Sequence, residues 1–144
     1  MKKYTIQIEV AGNAAMWTRP DSSSAPVSYP APSYSALKGF FESILWLKST
    51  VVVPVKTEIC APLIYEKYYT NYGGPLRKPS QIKDNNNYQL LATILINVCY
   101  RFYAEIRPSD FEEKKAMNSR HAYQEIFYRR IKKAMVSHSL PGLV

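Results

Sequence analysis

The first hydrophobic pattern in the chain is an alternation. Tyr4, Ile6, Ile8 and Val10 alternate with Thr5, Gln7 and Glu9. Period two over that stretch predicts a half-buried strand. From Ser33 the period changes. Leu37, Phe40 or Phe41, Ile44 and Leu47 recur every three to four residues, with Lys38, Glu42 and Lys48 elsewhere, which predicts an amphipathic helix. Gly39 lies inside that helix at a cost of about 1 kcal/mol relative to Ala, so something is expected to pack close to its backbone. Thr50 to Ala61 is β-branched and reads as a strand, with Pro54 requiring an edge or a bulge because it has no amide proton. Ile94, Ile96, Val98, Tyr100, Phe102, Ala104 and Ile106 then alternate with Thr93, Asn97, Arg101 and Glu105, a long strand with one apolar face that Arg107-Pro108-Ser109-Asp110 ends. A second helix is predicted from about Ser119 to Ala134, with Ala122, Ile126, Phe127, Ile131 and Met135 inward and Asn118 or Ser119 as N-cap. Val136 to Val144 has room for one short strand.

Two segments break these patterns. Ala11 to Pro32 is rich in Ser and Pro and reads as a long loop, either functional or partly mobile. Residues 65 to 90 are polar and aromatic, with Gly73-Gly74-Pro75 and Asn85-Asn86-Asn87 as breakers, and read as a long insertion. No internal repeat occurs. The order strand, helix, strand, strand, helix, short strand predicts one α+β domain over residues 1–144. It is a ferredoxin-like βαββαβ sandwich, an antiparallel sheet with two helices on one face. The same scaffold serves RNA-recognition modules, although a fold alone does not give a function.

Composition narrows the partners. Over 144 residues, 19 Lys and Arg stand against 11 Asp and Glu, a net charge of +8 that favours polyanions. Cys60 and Cys99 form no CxxC and sit in apolar runs, so reduced core thiols are expected and a zinc framework is not. The start alternates where a signal peptide would be continuously apolar, and the longest apolar stretch is broken by Thr93, Asn97 and Arg101. The expectation is a cytoplasmic protein with no membrane partner.

The second helix carries the strongest electrostatic signal. Lys114, Lys115, Arg120, Arg129, Arg130, Lys132 and Lys133 lie in it or just before it, against Glu125, and Tyr123 and Tyr128 interleave. Such cations neutralise phosphates and such rings stack on unpaired bases. A solvated outer face that complements the C-terminal helix dipole is the plainer alternative. His121 stands beside Arg120. An imidazole next to a guanidinium can move protons while the cation holds a phosphate, the pair that metal-free RNA cleavage needs; a capping or surface histidine is the other reading. His138 reads as structural. Two histidines without a carboxylate cluster make a weak metal case, and no metal or cofactor is expected. No GxSxG occurs to support a serine nucleophile. Gly73 to Lys78 lacks the Walker spacing and reads as an exposed loop. Tyr65, Tyr68, Tyr69, Tyr72 and Tyr88 cluster in the insertion, either to stack bases or to cover a shallow core.

Three passages resemble one family. They are Trp17-Thr18-Arg19-Pro20, then Val27 through Gly39 (VSYPAPSYSALKG), then Glu42-Ser43-Ile44-Leu45-Trp46. Their order is similar to that of the CRISPR-associated Cas-five family, most closely the type I-C subtype, also called D or Dvulg. Ser119-Arg120-His121-Ala122-Tyr123 before a basic helix fits as well. The resemblance implies a ferredoxin-like N-terminal domain in the Cascade surveillance complex, with CRISPR repeat RNA and other Cascade subunits as partners. It implies a metal-independent endoribonuclease that cuts precursor CRISPR RNA at the base of the repeat hairpin and keeps the 5′ handle. The family's catalytic set is a tyrosine in the first helix and a Lys-His pair at the second. His121 falls on the histidine and Arg120 on the lysine. Leu45 stands at the tyrosine position, where no proton can be exchanged, so Tyr34 or Tyr123 would have to substitute, or the chain only binds RNA. The expected RNA contacts are Arg19, Lys38, Tyr123, Arg129, Arg130, Lys132 and Lys133. A general basic domain would instead take duplex DNA. The family's small C-terminal β region would lie beyond this chain.

Overall fold

The computed structural model describes residues 3–22, 24–72, 78–84, 88–110 and 118–138. The elements are β1 (Tyr4–Ala15), α1 (Tyr34–Ile44), β2 (Thr50–Ile59), β3 (Ile64–Tyr72), α2 (Pro79–Lys83), β4 (Tyr88–Pro108) and α3 (Ser119–His138). One four-stranded sheet runs in the order β1-β4-β2, and β3 also pairs with β4. The sheet and the two long helices make the expected α+β, ferredoxin-like architecture.

Contacts divide the chain into two compact units. The first comprises Met1–Val10, Pro32–Glu58 and Arg101–Val144. Its core takes Ile6 from β1, Leu37 and Phe41 from α1, Val52 from β2, Phe102, Ala104 and Ile106 from β4, and Tyr123 and Phe127 from α3, all buried. Phe40 and Phe41 link α1 to Phe102 and Phe127 through ring contacts of 5.2 and 5.9 Å. Period two on β4 and period four on α3 thus meet over one apolar layer.

Local chemistry sets the helix ends. The Ser33 hydroxyl accepts from the Ala36 amide at 3.3 Å, an N-cap that contributes about 1 kcal/mol. α1 stops at Ile44, short of Leu47 where the apolar period continues, because Leu45 turns extended (φ −152°) and drives its own side chain into the core. Asn118 Oδ1 accepts from the Arg120 amide at 3.1 Å and caps α3. α3 continues to His138, so the first residues of the short C-terminal strand expected over 136–144 are helical, and the remainder lies outside the described residues. A Cβ built on Gly39 meets nothing within 4 Å, so the close packing expected there is absent.

The second unit comprises Ala11–Ala31 and Ile59–Tyr100. Here the expected insertion is a hairpin. β3 pairs antiparallel with β4 from Ile64↔Ile96 to Tyr72↔Tyr88, so the fourth strand of the sheet comes from residues 64–72 and β4 begins at Tyr88. Ile64, Glu66 and Tyr68 pair with Ile96, Ile94 and Ala92, and since Ile64, Tyr65, Tyr68 and Tyr69 are all exposed, β3 shows no buried alternation. Asn97 has φ 51°, a left-handed conformation that Asn adopts more readily than most residues. It follows the last β3 pair, and two residues later the Cys99 carbonyl accepts from the Cys60 amide at 2.8 Å. The Ser- and Pro-rich segment is tied down: the Thr93 carbonyl accepts from Ser28 N–H and the Thr93 N–H donates to Pro26 O, both 2.9 Å, and Tyr100 Oη donates to Pro30 O at 2.7 Å. Cys60 is exposed and Cys99 half-buried, so neither is the core thiol expected, and neither is joined in a disulfide.

Candidate nucleic-acid interface

The first turn of α3 projects toward the start of β1. Asn118 uses both ends of its amide. Oδ1 caps the helix, and Nδ2 donates to the Tyr4 hydroxyl at 3.0 Å. The Arg120 guanidinium lies 5.5 Å from the centre of the Tyr4 ring, a cation–π contact. The His121 ring sits 6.2 Å from the same ring at 53°. Tyr4 is buried, Arg120 half-buried and His121 exposed. The structure therefore brings Arg120 and His121 together around one phenol. Sequence reasoning missed Tyr4, which had registered only as the first apolar position of β1. Among the described residues no carboxylate pairs with Arg120 or His121, and the buried Arg120 Nε has no hydrogen-bond partner. A guanidinium held by a ring keeps its charge for an incoming anion.

Tyr123, expected both as a base-stacking ring and as a substitute acid, does neither. Its relative exposure is 0%, its ring stacks within the core on Phe127, and its hydroxyl donates to the Leu45 carbonyl at 2.6 Å. Burial pushes the phenol up to about 12. Of the inward positions expected, Phe127 is buried, but Ala122, Ile126 and Ile131 are only half-buried, and Tyr123 takes the buried place one turn before Phe127. Leu45 is 2% exposed. Tyr34 lies elsewhere, exposed beside Pro32 and Pro54 in a shallow cleft of about 160 Å³.

Further along α3, Arg130 donates to the Ile44 carbonyl at 2.6 Å and so closes the C-terminal end of α1, where a cation complements the helix dipole. Gln124 donates to the Thr5 carbonyl at 2.7 Å, and Gln7 N–H donates to the Tyr128 hydroxyl at 3.2 Å. These two bonds dock α3 on β1. Arg129, Lys132 and Lys133 remain exposed with no ion pair among the described residues.

The sheet face turned away from the helices is different. Arg101 donates to Glu9 at 2.8 Å and to Glu58 at 3.2 Å, and Tyr103 donates to the same Glu58 oxygen at 2.8 Å. Lys56 pairs with Glu58 and lies 5.4 Å from the Tyr103 ring centre. Lys56, then Tyr103, hold the Glu58 carboxyl below its ordinary range. Glu105 and Arg107 pair at 3.0 Å. A face of matched charges offers little to a phosphate, so the base-stacking sheet surface of RNA-recognition modules is not reproduced here.

The other expected contacts are scattered. Arg19 makes a two-pronged pair with Asp21 at 2.7 and 3.1 Å and lies 5.5 Å from the Tyr29 ring centre. Lys38 sits 3.7 Å from Glu42, one helical turn on. Tyr65, Tyr68 and Tyr69 are exposed on β3. The side chains of Tyr72, Tyr88 and His138 and the segment Gly73 to Arg77 lie outside the described residues. Among the described residues no group of three or more His, Cys, Asp or Glu could hold a metal ion, and no helix is long and apolar enough to cross a membrane.

A family model described as CRISPR-associated protein (Cas_Cas5) matches residues 5–140. A solved structure titled "Crystal Structure of CRISPR-associated Protein" superposes with a TM-score of 0.64 at 18% identity, over 92% of this chain. The chain spans 58% of that structure's length. No curated protein matches.

Proposed function

The chain belongs to the CRISPR-associated Cas-five family, and from that premise we propose that it is a Cascade subunit of the type I-C kind that binds and cuts precursor CRISPR RNA. The observation that carries the reading is the Arg120–His121 pair, set around Tyr4 with no carboxylate partner among the described residues. Cleavage proceeds by attack of a ribose 2′-hydroxyl on the adjacent phosphorus. The 2′-oxygen forms a bond to phosphorus, the bond to the 5′-oxygen breaks, and the products are a 2′,3′-cyclic phosphate and a 5′-hydroxyl. His121 either accepts the 2′-hydroxyl proton or supplies the proton that the leaving oxygen needs, and Arg120 neutralises charge gathering on the phosphoryl oxygens. The Tyr4 ring, whose hydroxyl accepts from Asn118 Nδ2, supports the guanidinium. Arg129, Lys132 and Lys133 continue the cationic track for the RNA backbone.

A second reading is an RNA-binding subunit that does not cut. It is favoured by Leu45, which is buried where the resemblance places a tyrosine, and by the commitment of Tyr123 to the core.

The test is incubation of repeat hairpin RNA with the protein in EDTA, beside the same RNA carrying a 2′-deoxyribose at the scissile nucleotide. The proposal expects a discrete product with a cyclic phosphate end from the first and a bound, uncut complex from the second. Binding without any product supports the second reading. Equal affinity for duplex DNA and repeat RNA at one salt concentration overturns both.

A further inference from the structure

A second candidate site lies at the corner where α1 passes into β2. An open cleft of about 320 Å³ is lined there by Lys38 and Glu42 of α1, Trp46 and Lys48 of the connecting turn, and Thr50 and Val51 of β2. The turn is held by two backbone bonds, Thr50 N–H to Leu47 O at 3.2 Å and Ser109 N–H to Ser49 O at 3.1 Å. Three features of the cleft are unusual together. Trp46 is 65% exposed, although Leu45 beside it is buried in the core. Two lysines share the cleft with that indole, and the only carboxylate paired with Lys38 among the described residues, that of Glu42, lies 3.7 Å away, beyond hydrogen-bond distance. Thr50 is only 6% exposed, and its hydroxyl has no hydrogen-bond partner. A large ring left in water forgoes a favourable burial, and a buried hydroxyl without a partner costs stability; both point to a ligand that completes the corner.

We propose that this cleft takes one unpaired nucleotide, its base stacked on Trp46 and its phosphate between Lys38 and Lys48. The chemistry is specific. An indole offers a flat face to any base, and ammonium groups hold phosphate oxygens as point charges. Glu42 gives a carboxylate that accepts from an exocyclic amino group of the base. The volume is at the small end of ligand sites, suited to a single nucleotide. This inference deepens the proposed RNA function, and the same chemistry would also take a free nucleoside monophosphate.

The experiment reads Trp46 directly. The chain has two tryptophans, Trp17 and Trp46. In a Trp17→Phe background the remaining emission is titrated with 5′-AMP and with an eight-nucleotide single-stranded RNA. Equilibrium dialysis of Trp46→Ala and Trp46→Phe in the natural background reads the same contact without that variant. The expected result is quenching by the oligomer, with affinity about 5- to 100-fold weaker for Trp46→Ala and nearly retained for Trp46→Phe. Lys38→Gln and Lys48→Gln should each lower the slope of log affinity against log salt by about 0.7. Quenching by the oligomer alone assigns the cleft to a nucleotide within an RNA chain, and quenching by both probes adds free nucleotide as an occupant. Unchanged emission with both probes, together with an unaltered Trp46→Ala affinity, overturns the inference even where repeat RNA is bound and cut elsewhere. Quenching by 5′-AMP in a protein that binds no repeat RNA would uphold the cleft and remove the proposed function.

Discussion

Arg101 and Arg120 belong to the same unit, yet their surroundings differ. Arg101 lies on the open sheet face between Glu9 and Glu58, with Tyr103 sharing the Glu58 oxygen. The Glu9 bond first, with the Tyr103 hydroxyl next, raises its already high pKa further. The Arg120 guanidinium lies at the start of α3 over the Tyr4 ring, beside His121, with no carboxylate partner among the described residues. Matched carboxylates turn the first guanidinium into a clamp between β1, β4 and β2. An aromatic support leaves the second one positioned but still charged. The number of cations on a surface therefore says less about phosphate binding than the identity of what each cation already touches.

Of the two arginines, the one without a carboxylate partner among the described residues should matter far more to cleavage. Arg120→Ala should lower the cleavage rate by about 10²–10³-fold, as loss of a transition-state donor does, and Arg120→Lys should recover part of it. Single-turnover rates on repeat RNA check this, and an Arg120→Ala rate equal to wild type would dissolve the distinction between the two regions.

Tyr123 anchors the same helix from the inside. Tyr123→Phe leaves the Leu45 carbonyl unpaired and should cost about 1–3 kcal/mol, read as a lower denaturation midpoint. Its pH dependence has a definite sign. The folded phenol titrates near 12 against an ordinary value of 10, so the folded state holds a proton that the unfolded state has lost between those values. The stability that Tyr123 contributes is complete below pH 10 and is lost as pH rises toward 12. In Tyr123→Phe that alkaline slope should flatten.

Smaller still is the effect of the exposed cations late in α3. Replacing Arg129, Lys132 and Lys133 together by Gln should reduce the salt dependence of RNA affinity by roughly 2 in log–log slope, with folding unchanged. The least effect is expected on the sheet face. Arg101→Gln should leave RNA affinity and its salt slope where they are and lower thermal stability slightly. A marked loss of RNA binding in that variant would show that the matched-charge face takes part after all.

Much of the fold was legible because two periods carry it. The alternation from Val98 to Ile106 and the three-to-four spacing of Leu37 and Phe41 survive into the core, whereas before Asn97 the phase slips and Leu95 is buried while Ile94 and Ile96 are only half-buried; Ser33 and Asn118 cap as short polar side chains should. The β3 strand was not legible. Its tyrosines pair with β4, but a run of exposed aromatic and polar residues has no one-sided pattern to read. Tyr123 was misread for a related reason, since a tyrosine at an inward helical position looks like a surface ring unless its hydroxyl has a buried acceptor, and the Leu45 carbonyl becomes one only when α1 ends early. Arg120 and His121 were legible as neighbours. Tyr4 was not, because it lies more than a hundred residues away and only the docking of α3 on β1 brings it close.

The central claim is that RNA is cut at the π-supported pair and not on the ion-paired sheet. The most direct measurement compares wild type, His121→Ala and Arg101→Gln on repeat RNA in EDTA, with complex formation read in the same samples. The account predicts product from wild type and Arg101→Gln at similar rates, and from His121→Ala a bound complex cut about 10²–10⁴-fold more slowly. His121→Ala cutting as fast as wild type, or Arg101→Gln losing the product, would contradict it.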